Sequence, residues 1–146
     1  GDPYVVEFNV RFGDPECQVT LPLVESDVGE LLFSAATDAL ENTHWTFSDS
    51  HALTVVLASE GYPQSPVKGR PILGADLSLD TLETWVSHAG TAFDESGNLI
   101  SSGGRVLSVT SVAKTLQQAR ELSYHRMRDI TLEGSHYRSD IGHRAL

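Results

Sequence analysis

The chain has a single cysteine, Cys17, in 146 residues. An internal disulfide is therefore excluded, and such sparing use fits a reducing compartment. Glu16 is the one charge beside Cys17, so the thiol reads as a small buried packing residue rather than an activated nucleophile. Basic residues are also scarce: Lys and Arg number 10 against 20 Asp and Glu, for a net charge of −10. Neutralising a phosphate backbone needs a basic stripe, so nucleic acid is disfavoured as a partner. A small anionic substrate is not excluded, because a local arginine can hold one inside an acidic protein. No apolar run approaches the roughly 20 residues of a membrane span. The N-terminal GDPYVVEF has no basic region followed by a long apolar stretch, so no signal peptide is expected. These absences predict a cytoplasmic chain with no membrane partner.

What is present is globular in kind, with 40% hydrophobic and 21% charged residues, values without a disorder signature. Neither an internal repeat nor a low-complexity segment interrupts it. Pro3–Val10 alternates as a strand and is broken by Gly13-Asp14-Pro15. Residues 18–24, interrupted by Pro22, form a short approach to a helix. Ser26-Asp27 can cap that helix, whose apolar positions Val28, Leu31, Leu32, Ala35, Ala36 and Leu40 fall at helical spacing. Residues 42–50 read as a polar linker holding Trp45 and Phe47, and as a domain boundary.

Beyond His51 the pattern changes. Residues 52–58, ALTVVLA, are continuous, apolar and β-branched, consistent with a strand buried on both faces. Short strands follow at 72–73, 84–91, 99–100 and 105–110, with a hairpin turn at 94–98. Thr115 caps a helix to about Arg128, with Leu116, Ala119, Leu122, Tyr124 and Met127 as candidate core positions. Residues 134–146 are a mostly irregular tail. Several short strands with one clear helix predict an α+β fold, mostly antiparallel with helix packing.

The chemistry-bearing residues concentrate at 4–18, YVVEFNVRFGDPECQ. In a strand Glu7, Asn9 and Arg11 share one face. A carboxylate and an amide oxygen are hard donors of the kind Mg²⁺ takes alongside phosphate oxygens. Arg11 can grip a phosphate or carboxylate with both arms of its fork. The same pattern also fits an edge strand with a solvated polar face, and spacing alone does not separate the two. Arg11 can equally pair with Asp14 or Glu16 to stiffen the turn, and those two carboxylates can cap the following helix. His88 reads as a hydrogen-bonded structural residue, and His125, His136 and His143 as surface residues without metal spacing. Gly103-Gly104-Arg105 lacks the phosphate-loop pattern, and its glycines are expected to allow positive φ at a tight turn; Arg105 is a candidate contact to the active-site domain.

The order of residues in EFNVRFGDPECQ resembles the signature of the phosphoribosylamine–glycine ligases (glycinamide ribonucleotide synthetases), ATP-grasp enzymes of purine biosynthesis. Further similarities follow in that family's order: Ala58-Ser59-Glu60-Gly61-Tyr62-Pro63, His88-Ala89-Gly90-Thr91, Gly103-Gly104-Arg105-Val106-Leu107 and Asp140-Ile141-Gly142-His143-Arg144-Ala145. They span nearly the whole chain, and they match only the C-terminal part of the longer family enzyme. The resemblance implies that residues 1–46 end an ATP-grasp domain and that 51–146 form the family's small C-terminal domain. It implies a ligase joining glycine to 5-phosphoribosylamine through glycyl phosphate, at the expense of ATP. Glu7 and Asn9 would bind Mg²⁺ or Mn²⁺, Arg11 would hold a substrate phosphate or the transferring phosphoryl group, and Asp14 would orient the amine. The nucleotide would be held by an N-terminal part of the same enzyme. The alternative is a non-catalytic interaction module of the same fold that needs the nucleotide-binding half in trans. One departure is Ala113, where the family is expected to carry glycine.

Overall fold

A computed structural model describes residues 3–8 and 10–146. In chain order the elements are α1 (Cys17–Thr20), α2 (Val28–Ala36), β1 (His51–Ala58), β2 (Ile72–Leu73), β3 (Thr84–His88), β4 (Thr91–Phe93), β5 (Leu99–Ser101), β6 (Arg105–Ala113), α3 (Leu116–Arg128) and β7 (Thr131–Leu132), with short 3₁₀ turns between some of them. The fold is α+β and its strand pairs are antiparallel.

The core is one sheet with one helix laid across it. Strand order is β1-β6-β3, so β6 is central. Leu53, Val55 and Leu57 stand opposite Ser111, Val109 and Leu107, and Val86 stands opposite Val109 from the other side. Paired residues share a face, so one side of the sheet carries Leu53, Val55, Leu57, Val86, Leu107 and Val109. Helix α3 covers it with Ala119 and Met127, both fully buried. Thr115 caps this helix as expected, its side chain accepting from the Gln118 N–H at 3.2 Å. His125, Arg126 and Arg128 in the last turn oppose the negative end of the helix dipole.

Several expectations need correction. Residues 3–8 and 10 form no strand, and Tyr4, Val6, Phe8 and Val10 are 86%, 94%, 86% and 96% exposed. A strand needs a neighbouring strand, and among the described residues none pairs with residues 3–8 and 10. Helix α2 stops at Ala36, with Leu40 in a separate 3₁₀ turn. The Thr37 hydroxyl donates to the Phe33 carbonyl, and Asp38 adopts φ 57°, which ends helical geometry. Only Leu31 of that helix is buried. The run 84–91 is not one strand: β3 ends at His88 and β4 begins at Thr91. Strand β1 is buried on the α3 side, while Ala52, Thr54 and Val56 on the other are half-buried. Cys17 is half-buried rather than buried.

Leu122 faces solvent, because the buried stripe of α3 is Ala119, Ser123, Arg126 and Met127. Two polar residues in that stripe hid it from a hydrophobicity pattern. Ser123 donates to the Leu53 carbonyl at 3.0 Å, so its buried hydroxyl is satisfied. Ala113 carries no strain for replacing a glycine. Asp38 is the one non-glycine residue with positive φ among the described residues.

Candidate functional site

Segments far apart in sequence meet at the end of the sheet where β1 finishes and β6 begins. Ser59, just past β1, donates its hydroxyl to the Gly103 carbonyl and its N–H to the Gly104 carbonyl, both at 2.8 Å. The Gly90 N–H donates to the Arg105 carbonyl at 3.0 Å, and the Ser102 N–H returns to the Gly90 carbonyl at 2.7 Å. Glycine is required at two of these places by space. A β-carbon on Gly90 would meet the Arg105 carbonyl oxygen and the Gly103 Cα at 2.7 Å, and one on Gly104 would overlap the Tyr62 ring. The motifs at 58–63, 88–91 and 103–107 therefore form one loop cluster.

The N-terminal turn is fastened to this cluster. Arg105 donates from Nη2 to Asp14 Oδ2 at 2.9 Å and from Nη1 to the Asp14 carbonyl at 3.1 Å. The other carboxylate oxygen of Asp14 accepts from Gln18 Nε2 at 3.3 Å. Glu16 occupies the N-cap position of α1 without a side-chain cap bond. Arg11 is exposed and donates to the Phe12 carbonyl at 3.0 Å. Arg70 holds the neighbouring loop from below, donating to Glu60 Oε2 at 2.5 Å and to the Glu133 carbonyl at 2.7 Å.

Of the candidate residues, then, Asp14 and Arg11 lie on the turn 11–16, and Glu7 is on the exposed segment leading into it. Asn9 lies outside the described residues. Among the described residues no group of three or more His, Cys, Asp and Glu side chains could enclose a metal. The donors of this segment suit a magnesium-type site, which takes few protein oxygens and completes its shell with phosphate and water. His88 Nδ1 lies 3.2 Å from the Thr91 hydroxyl, and His125, His136 and His143 are exposed.

The motif 140–145 is used differently. Asp140 takes both arms of the Arg138 fork at 2.8 and 2.7 Å. That hydrogen-bonded guanidinium pulls the carboxyl down to about 2. The Tyr124 hydroxyl donates to the Arg138 carbonyl at 2.6 Å, and Arg120 donates to the carbonyls of Ile141 and Ser139 at 3.0 and 2.9 Å. These bonds tie the tail to α3. Arg120 and Tyr124 as tail anchors escaped sequence reading, since their partners are backbone carbonyls with no sequence signal.

Residues 52–144 match the family described as phosphoribosylglycinamide synthetase, C domain. The chain belongs to that family. A phosphoribosylamine–glycine ligase of Rhizobium meliloti is 48% identical over 144 residues, covering 99% of this chain and 33% of the relative. The chloroplastic phosphoribosylamine–glycine ligase of Arabidopsis thaliana is 44% identical, covering 100% of this chain and 28% of the relative. The crystal structure of the Thermotoga maritima phosphoribosylamine–glycine ligase superposes with a TM-score of 0.75 at 34% identity, covering 96% of this chain and 34% of that one. The chain thus spans about a third of the length of the ligases it matches. No helix of the described residues is long and apolar enough to cross a membrane.

Proposed function

We propose that this chain is the C-terminal segment of an ATP-dependent ligase of purine biosynthesis that joins glycine to 5-phosphoribosylamine, giving glycinamide ribonucleotide, ADP and phosphate. In this reading residues 1–46 close an ATP-grasp domain and residues 51–146 form the domain packed against it, in a cytoplasmic enzyme without nucleic-acid or membrane partners. ATP is bound mainly by the remaining two-thirds of the polypeptide. The observation that carries the reading is the convergence of three family-like loops at one end of the sheet, with Arg105 fastening the turn 11–16 to them.

Each residue then has a definable task. Glu7 and Asn9 would hold Mg²⁺ or Mn²⁺, whose charge offsets the repulsion between a carboxylate and a triphosphate. Arg11, exposed at the turn, supplies a planar fork to the substrate phosphate or to the phosphoryl group in transfer. Asp14 keeps lone pairs beyond those given to Arg105 and Gln18, which suffice to accept from the amine and aim its nitrogen at the acyl carbon of glycyl phosphate. Catalysis rests on positioning and charge neutralisation.

The test is phosphate release dependent on ATP, glycine and phosphoribosylamine together, in the ligase-length product that carries this chain. Turnover is expected there, with none from the 146-residue chain by itself, and Glu7→Gln should abolish the metal-dependent rate. A ligase-length wild type without such turnover refutes the reading. Turnover gained only when a separate nucleotide-binding half is added would favour an interaction module completed in trans.

A further inference from the structure

Pairing between β1 and β6 runs evenly from His51↔Ala113 to Leu57↔Leu107, then shifts so that Ala58 faces Arg105. Val106 is the additional residue of this bulge and is wholly buried. Side chains alternate along a strand. Without the shift, Arg105 would share parity with Leu107 and Val109 and point into the apolar layer beneath α3. A guanidinium there would lose its hydration with nothing to replace it. With the shift, Arg105 stands beside Ala58 on the opposite face, the one carrying Thr54 and Val56. Pro15, Glu16 and Val19 line a cavity with Ala52, Leu53 and Thr54 of β1 and with Leu116 and Ile141, so the N-terminal turn lies along this edge strand. Bulges commonly re-aim a side chain at the rim of a sheet. Here the re-aimed side chain is the one that reaches Asp14.

The attachment has two points. One arm of the fork takes the Asp14 carboxylate and the other takes the carbonyl of the same residue, which fixes orientation as well as distance. At the other end the Arg105 backbone is held by the Gly90 N–H. The side chains of Arg105 and Asp14 are 40% and 57% exposed, and exposed pairs add little to stability. Geometry is therefore what this pair supplies.

We propose that Arg105 is a positioning residue for the ligase reaction. Through Asp14 it sets the direction in which Arg11 and the Glu7 segment leave the C-terminal domain toward the reacting groups. This inference rests on the functional reading above, and the experiment separates the two. In the ligase-length enzyme, Arg105→Ala is expected to lower kcat about 10- to 100-fold, the size of effect that follows from slight misplacement of reacting groups. KM and melting temperature should change little, while amide exchange at residues 11–18 accelerates. Arg105→Lys keeps the charge but not the fork, so it should not restore kcat. Asp14→Asn combined with Arg105→Ala should cost scarcely more than the worse single variant, since both act at one attachment. Wild-type kcat in Arg105→Lys, or a pure KM defect with unchanged exchange at 11–18, overturns the proposal. If the wild type itself shows no turnover, the functional reading fails. Exchange at 11–18 then still decides whether Arg105 anchors the turn: faster exchange in Arg105→Ala supports the anchor, and unchanged exchange overturns it.

Discussion

Arg126 offers the sharpest test of how the domain is held together. Only 5% exposed in α3, it donates to the Gly74 carbonyl at 2.7 Å and the Asp76 carbonyl at 3.2 Å, with the Asp80 carboxylate at 3.7 Å. Asp80 in turn accepts the Val86 N–H at 3.1 Å, so the arginine braces the 74–80 loop against edge strand β3. The brace is imperfect: Arg126 Nε and Asp80 Oδ1 are buried without a hydrogen-bond partner among the described residues. Arg126→Met keeps the volume, removes every donor and leaves the Asp80 carboxylate, 16% exposed, without its counter-charge. Breaking a buried pair from one side costs about 3–5 kcal/mol. The loose ion pair places this case at the lower end, about 3 kcal/mol. With a urea m-value of about 2 kcal/mol/M, the unfolding midpoint should fall by about 1.5 M. Asp80→Asn should cost about 1 kcal/mol, since an amide oxygen can still accept from Val86. The double variant should recover about 1 kcal/mol relative to the sum, because no lone charge remains buried. A midpoint shift under about 0.3 M for Arg126→Met, or strict additivity, would refute this account.

Two further outcomes follow from single sites. Met127 is fully buried between helix and sheet, so Met127→Ala should destabilise by about 3 kcal/mol in denaturant titration; a loss below about 1 kcal/mol would mean the site collapses freely. The Asp140 carboxyl should titrate at about 2 by NMR and move back toward the ordinary carboxylate value of about 4 in Arg138→Ala. Because its folded value is lowered, the stabilisation from this pair is present above the unfolded value of about 4 and disappears as pH falls through the folded one. A normal carboxylate titration in the wild type would show that the Arg138 contact does not persist in solution.

Legibility from sequence followed the range of the forces involved. The strands β1 and β6, the Thr115 cap and the helix behind it were readable, because apolar runs and cap chemistry are local signals. The buried stripe of α3 was misread at Leu122 because Ser123 and Arg126 occupy inward positions that only their distant partners, Leu53, Gly74 and Asp76, make tolerable. Residues 3–10 alternate like a strand, yet alternation specifies a face and not a neighbour. Among the described residues no strand pairs with residues 3–8 and 10, and Tyr4, Val6, Phe8 and Val10 stay exposed.

The sequence alone determined the α+β class, the family and the residues eligible for chemistry, since composition, periodicity and motif order are properties of the chain itself. Which of those residues meet was decided by the tertiary structure. Asp14 and Arg105 are 91 positions apart, and they meet where a single extra residue in β6 shifts the pairing with β1. Register is a property of two strands together, and no residue of either one records it.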